Sequence, residues 1–234
     1  MAYLSPMQII AFDADDTLWV NETFFRAAEE RFFALLADYA IPHNLQKELL
    51  QIEIANLPLY GFGIKGFMLS MIETARRITD GKISDRVLGE ILTIGKEMLQ
   101  APVELLPGIR EVLEALVPKY RLVLATKGDL LDQERKLDKS GLDRYFHHVE
   151  VMSDKQPANY AKLIRHLDIP ATAFTMIGNS LKSDILPVLE LGGRAFHIPF
   201  HTTWAYEHHA APVAHERLVV LKSAQELPPY LSGS

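Results

Sequence analysis

The chain has 234 residues, of which 48% are hydrophobic and 23% charged, enough apolar material for one domain with a large insertion or for two modest domains. A formal net charge of −6 supplies no basic field for nucleic acid or an anionic membrane, so any phosphate chemistry has to rest on a local site or a bound cation. The absence of cysteine excludes a disulfide framework, thiol catalysis and thiolate metal sites. Neither a signal-peptide pattern nor an uninterrupted apolar run of membrane-spanning length occurs, so the expectation is a cytoplasmic protein.

The first predicted strand is the apolar run Gln8 to Asp13, which stops abruptly in Asp13, Asp15 and Asp16. A long interval without a convincing strand follows. Phe24, Phe25, Ala28, Phe32, Leu35, Leu36 and Tyr39 form one apolar helix face, which Pro42 is expected to end, and Asn44 and Ser84 are candidate N-caps of later helices. Gly61, Gly63 and Gly66 loosen the middle of this interval, and Leu106-Pro107-Gly108 returns the chain to a different pattern. Helical spacing at Ile109, Val112, Leu113 and Leu116 precedes a strand at Arg121 to Thr126. Asp129 to Lys139 reads as a helix before a strand at His147 to Met152, and Ala158 to Leu167 as a helix before Ala173 to Gly178. Arg194 to Ile198 adds another strand, and residues 217–221 a weak edge strand. The final "YLSGS" is expected to fray. Strands alternating with helices imply an α/β fold, a parallel sheet with helices on its faces. The interval 20–102 is then an all-helical insert, leaving 1–19 and 103–234 as the core domain.

The chemistry gathers at the strand ends. Asp13 and Asp15 are two apart, so persisting strand geometry points both to one side, with Asp16 facing away. Two carboxylates in a small volume suit either a nucleophile or metal ligand paired with a group that carries a proton, or merely a solvated turn or helix cap. The second strand ends in Thr126-Lys127-Gly128, where a hydroxyl and backbone N–H groups suit an oxyanion or simply cap a helix. Lys155 follows the third strand as a compact positive charge, and the fourth ends in "IGNSLKSD", where Asn179, Ser180, Ser183 and Asp184 offer the hard oxygens that Mg²⁺ prefers. Each signal alone has an ordinary structural explanation; their order along four strand ends is much harder to dismiss.

This ordered set closely resembles the haloacid dehalogenase (HAD) superfamily, whose motifs are a DxDxT loop, a strand-ending Ser or Thr, a downstream Lys and a final acidic loop. The matching segments are "DADDTL" (13–18), Thr126, Lys155 and "GNSLKSD" (178–184). The resemblance implies a Rossmannoid three-layer core with a C1 type helical cap. It implies Asp13 as the nucleophile forming an aspartyl-phosphate and Asp15 as the acid and later base. Thr126, Lys127 and Lys155 would hold the phosphoryl group. Mg²⁺ would be bound by the Asp13 carboxylate, the Asp15 carbonyl and an acid of the last motif. The implied activity is a Mg²⁺-dependent phosphomonoester hydrolase acting on a small phosphorylated metabolite.

Two positions depart from the pattern. Asp16 stands where a glycine is common, and Asn179 where most members place an acid, so the main acidic role passes to Asp184 with Asn179 a direct or water-mediated ligand. Asp15 favours phosphate esters over carbon–halogen bonds, because an alkoxide needs a proton on leaving and a halide does not. The alternatives are a haloacid dehalogenase-type hydrolase and a catalytically weakened binding protein on the same scaffold. Nine histidines, including His197, His201, His208 and His209, show no HExxH spacing and are read as packing, surface or substrate-side groups. Trp19 and Trp204 are candidates to line a cleft. Lys65 would suit a phosphonate-directed amine or an ordinary surface position. Gly61-Phe62-Gly63 is too short for a nucleotide fingerprint.

Overall fold

A computed structural model describes residues 8–209 and 211–231. In chain order its elements are β1 (Ile9–Phe12), α1 (Glu22–Leu35), α2 (Pro42–Tyr60), α3 (Ile64–Ile78), α4 (Asp85–Gln100), α5 (Ile109–Leu116), β2 (Arg121–Lys127), α6 (Leu130–Ser140), β3 (His148–Met152), α7 (Pro157–His166), β4 (Phe174–Gly178), α8 (Leu186–Glu190), β5 (Arg194–His197), β6 (Leu218–Val220) and α9 (Leu227–Leu231). The six strands form one parallel sheet in the order β3-β2-β1-β4-β5-β6. This is the parallel α/β sheet expected from the alternation of apolar runs and helical patterns, including the weak edge strand, and the Rossmannoid core that the resemblance implies.

Side chains alternate across the sheet, and both faces are covered. Ile10, Phe12, Leu122, Leu124, Ile177 and Phe196 pack on one side with α5 and α9. Ile9, Ala11, Val123, Ala125, Phe174 and Met176 pack on the other against Tyr160 and Leu163 of α7 and Val188 of α8. Burial on two faces explains why β1, β2 and β4 read as nearly uninterrupted apolar runs rather than as alternating ones.

The chain divides into two compact units. The sheet unit takes the described residues up to Val20, Val103–Lys127 and those from Gln133 onward; the helical unit takes Asn21–Pro102 and Gly128–Asp132. Within the helical unit, Ala28, Phe32 and Leu36 meet Leu45 and Leu49 of α2, Phe67, Met71 and Ala75 of α3, and Val87, Ile91 and Ile94 of α4. The segment Gly128–Asp132, which runs into the start of α6 and lies outside the insert read from the sequence, joins this unit, where Lys65 ion-pairs with Asp129 at 2.9 Å.

Several local expectations are corrected. Tyr39 does not share the apolar face; it is 54% exposed, beyond the end of α1 at Leu35. Pro42 opens α2 rather than ending α1, because its missing N–H costs nothing in a first turn. Asn44 is inside α2 with its N–H on the Ile41 carbonyl at 3.0 Å, and the N-cap is Ile41 without a side-chain cap. Ser84 does cap α4, accepting from the Val87 N–H at 3.2 Å. Of the final "YLSGS", Tyr230 and Leu231 belong to α9 and the remainder lies outside the described residues. Among the described residues no helix is long and apolar enough to cross a membrane.

Candidate active site

Successive strands run outward from β1 to β2 and β3 on one side and from β4 to β5 and β6 on the other. That reversal leaves a crevice at the carboxyl ends of β1 and β4, the position where open α/β sheets bind ligands. Asp13 stands there. Its N–H continues the ladder to the Ile177 carbonyl at 2.9 Å, which holds the side chain at the strand terminus. One carboxylate oxygen accepts from Lys155 Nζ and the other from Thr17 Oγ1 at 3.2 Å. Lys155, only 1% exposed, also reaches Asp184 Oδ1 at 2.7 Å, so the ammonium bridges two buried carboxylates from distant parts of the chain.

Asp184 is positioned by an irregular turn. Residues Leu181–Ile185 form a single π-turn in which the Ile185 N–H reaches the Ser180 carbonyl at 3.3 Å. The wider turn aims Asp184 back at its own strand, where Oδ2 accepts from the Ser180 N–H at 3.0 Å. Gly178 makes room for it. A Cβ there would lie 2.3 Å from Asp184 Oδ2, a distance no carbon–oxygen contact tolerates. π-turns of this kind recur at functional sites.

The electrostatics follow from burial. Desolvation pushes the Asp13 carboxyl up to about 7, against the pull of Lys155 and with an added push from Asp184. The two carboxylates act on Lys155 in the opposite sense to its burial and prevail, holding it protonated. The trio therefore carries one cation for two acids.

Asp15 has partners of its own, although its charge adds a small push to the Asp13 carboxyl. Strand geometry stops at Phe12; the Leu18 N–H turns back to the Ala14 carbonyl at 2.8 Å, and Asp16 takes a left-handed conformation with φ 60°. The Asp15 carboxylate consequently meets Trp19 Nε1 at 2.7 Å, Gln133 Nε2 at 2.8 Å and Lys136 Nζ at 2.6 Å, sharing no partner with Asp13. Burial would raise its pKa, but Lys136 and the two neutral donors outweigh that and hold it below the usual carboxylate range. Trp19 does not line a cleft: it is fully buried in the core and serves as a donor to Asp15. Gln133 and Lys136, three apart on α6, escaped the sequence reading, although that spacing places them on one helix face.

The remaining candidates sit at neighbouring strand ends. Register pairs Phe12 with Leu124, which sets buried Thr126 just past the level of Asp13, its hydroxyl 3.5 Å from the Lys127 carbonyl. Lys127 is committed elsewhere, to Ser183 Oγ at 2.9 Å and to the carboxylate of Glu207. Burial alone would raise Glu207, yet Lys127 and the hydroxyls of Ser180 and Ser183 keep it ionised. Asn179 Oδ1 lies 3.4 Å from the same Thr17 hydroxyl and shares its one proton with Asp13, and the Asn179 carbonyl meets His197 Nε2 at 2.9 Å. Burial lowers the His197 pKa, which favours the neutral imidazole. Trp204 stacks on Tyr206 with ring centres 5.0 Å apart.

These oxygens can be tested against Mg²⁺. Asp13 Oδ2 and Asn179 Oδ1 converge on one hydroxyl, that of Thr17, whereas both oxygens of Asp184 are already engaged. Among the described residues no three acidic or imidazole groups gather as a ligand cluster. A Mg²⁺ ion here fits Asp13 and Asn179 with backbone carbonyl and water oxygens, the mixed shell this ion accepts, and it would supply the positive charge the trio lacks. Asp184 then orients Lys155 from behind.

Residues 7–192 match the haloacid dehalogenase-like hydrolase family model. No curated protein matches the chain. A haloacid dehalogenase-like family hydrolase from Xanthomonas campestris is 41% identical, with a TM-score of 0.86 over 97% of this chain and 91% of that one. Two further solved structures share the fold. A 2-haloacid dehalogenase from Pseudomonas syringae has 19% identity and a TM-score of 0.64, covering 97% of this chain and 98% of its own. A HAD phosphatase from Thermococcus onnurineus has 20% identity and a TM-score of 0.63, covering 97% and 99%. Carboxylates, lysine and acidic turn at the ends of a parallel sheet, with the family match across most of the chain, make this protein a haloacid dehalogenase-like hydrolase.

Proposed function

We propose that the protein hydrolyses a small phosphate monoester with Mg²⁺ bound, through a phosphoryl group carried on Asp13. The observation that carries this reading is Asp15, a second carboxylate on the nucleophile's own loop, which a halide leaving group would not need. An Asp13 oxygen forms the new bond to phosphorus as the ester P–O bond breaks. The leaving oxygen takes a proton from Asp15, and Asp15 later takes one from the water that releases phosphate. Lys155 and the strand-end N–H groups offset the charge that otherwise repels an anionic nucleophile from an anionic ester. Mg²⁺, when bound, adds positive charge and orients the phosphoryl oxygens.

The same reading makes a demand on Asp15. In its present contacts it is an ionised acceptor, so acid catalysis requires it to leave Lys136 and Gln133 and acquire a proton. That engagement, with the neutral amide of Asn179, favours halide displacement from carbon as the second reading, which needs neither acid nor metal. Turnover of p-nitrophenyl phosphate with and without Mg²⁺, beside chloride release from 2-chloropropionate in EDTA, separates the two. Mg²⁺-dependent phosphate release alone supports phosphatase; chloride release alone overturns it.

A further inference from the structure

Glu207 lies between β5 and β6, past residue 192 where the family match ends, in a segment whose histidines had drawn the attention in the sequence. Its carboxylate gathers groups from two other strand ends. One oxygen accepts from Lys127 at the end of β2; the other accepts the hydroxyls of Ser180 and Ser183, each at 2.6 Å, from the turn after β4. Next to it, the Tyr206 carbonyl accepts from Lys182 Nζ at 2.8 Å, and the same ammonium sits 3.2 Å from the centre of the Tyr206 ring. Three side chains of the acidic turn are thus tied to one short segment, Ala205–Glu207.

The sheet order gives these contacts a direction. Lys127 belongs to β2 and Glu207 follows β5, while β1 and β4 lie between them. The ion pair therefore passes across the carboxyl ends of the two strands that present Asp13 and Asn179. The π-turn needs such support, since its spacing is less regular than an α-turn and Asn179 precedes any helical bonding. A carboxylate suits the task because it accepts from several donors at once. A glutamine in its place would turn an NH₂ group toward a hydroxyl or the Lys127 ammonium.

We propose that Glu207 is a positioning residue: by holding Ser180, Ser183 and Lys127 together it fixes the turn 178–184 that presents Asn179 and Asp184 to the reacting group. The proposal rests on the reading of Asp13 as the reacting residue. Its test compares Glu207→Gln with the wild type by amide hydrogen exchange at Ser180, Ser183 and Asp184 and by steady-state kinetics on whichever substrate the wild type turns over. Outer-shell partners of this kind typically control activity by about 10- to 100-fold, so kcat should fall by that factor with KM within about threefold, and the three amides should exchange at least about tenfold faster. A folded variant with unchanged exchange and kcat overturns the proposal, as does tighter binding of inorganic phosphate, which would make Glu207 a plug. Should Glu207→Gln fail to fold, Ser183→Ala removes one hydroxyl from the same carboxylate, and unchanged Asp184 exchange there overturns the proposal equally. A wild type that turns over neither p-nitrophenyl phosphate nor 2-chloropropionate defeats the hydrolytic reading, while the exchange data still decide whether Glu207 holds the turn.

Discussion

Lys155 serves Asp13 and Asp184 at once, so its removal bears on two buried carboxylates together. Lys155→Met leaves two buried carboxylates without their shared counterion, and breaking a buried pair this way costs about 3–5 kcal/mol. Urea denaturation in EDTA at neutral pH should show that loss. It should shrink as pH falls, because the Asp13 carboxyl, raised by burial, is stable in its protonated form and loses that stability as pH rises through its folded pKa. Asp13→Asn behaves differently. With Asp13 pushed up to about 7, its ionisation opposes folding from the unfolded carboxylate pKa upward, and the amide removes that cost while the Lys155–Asp184 pair persists. The variant should melt at or above the wild-type temperature at pH 8 while losing all turnover; retained turnover would remove Asp13 as nucleophile. Asp13, Lys155 and Asp184 were legible in the sequence because each follows an apolar run at a fixed order along the chain. The partners of Asp15 were not, because Gln133 and Lys136 stand 118 and 121 residues further along the chain.

Elements were legible in proportion to how far local pattern decides them. The apolar runs of β1 to β5 and the stripe Ile109, Val112, Leu113 and Leu116 gave boundaries within a residue, since on β1, β2 and β4 burial on both sheet faces leaves few places for polar side chains. The π-turn was invisible: the five-residue step from Asn179 to Asp184 looks like a misplaced acid until the wider turn is seen to absorb it. In α1 the apolar stripe was read but Glu29 on the buried side was not. Burial raises the Glu29 carboxyl and Arg26, at 2.9 Å, offsets this only in part. A carboxyl raised in the folded state contributes most below its unfolded pKa and loses that contribution as pH climbs through the folded value. Glu29→Gln should therefore raise the melting temperature at neutral pH and leave it unchanged near pH 4, as read by thermal melts across the pH range; an equal effect at both pH values would trace it to Arg26 packing instead.

At the scale of the molecule, the segments that lead into and out of the helical insert pair with each other inside the sheet unit. Leu106 N–H bonds to the Leu18 carbonyl at 2.9 Å, Val20 N–H to the Glu104 carbonyl at 2.9 Å, and Trp19 bridges Leu105 in antiparallel fashion. The chain thus leaves and returns side by side, like the base of a hairpin, which is why so long an insert leaves the strand order of the sheet intact. The helical unit has its own apolar core, and the sheet unit keeps its three clusters without any residue from 21–102. Replacing 21–102 by a short Asn-Gly-containing turn should accordingly give a folded sheet unit with native-like circular dichroism and cooperative melting. Such a chain retains Asp13, Lys155 and Asp184, so it should still react with p-nitrophenyl phosphate if the phosphatase reading holds. Failure to melt cooperatively would show that the helical unit, including the 128–132 segment tied by Lys65 to Asp129, completes the fold of the sheet unit and is no separable insert.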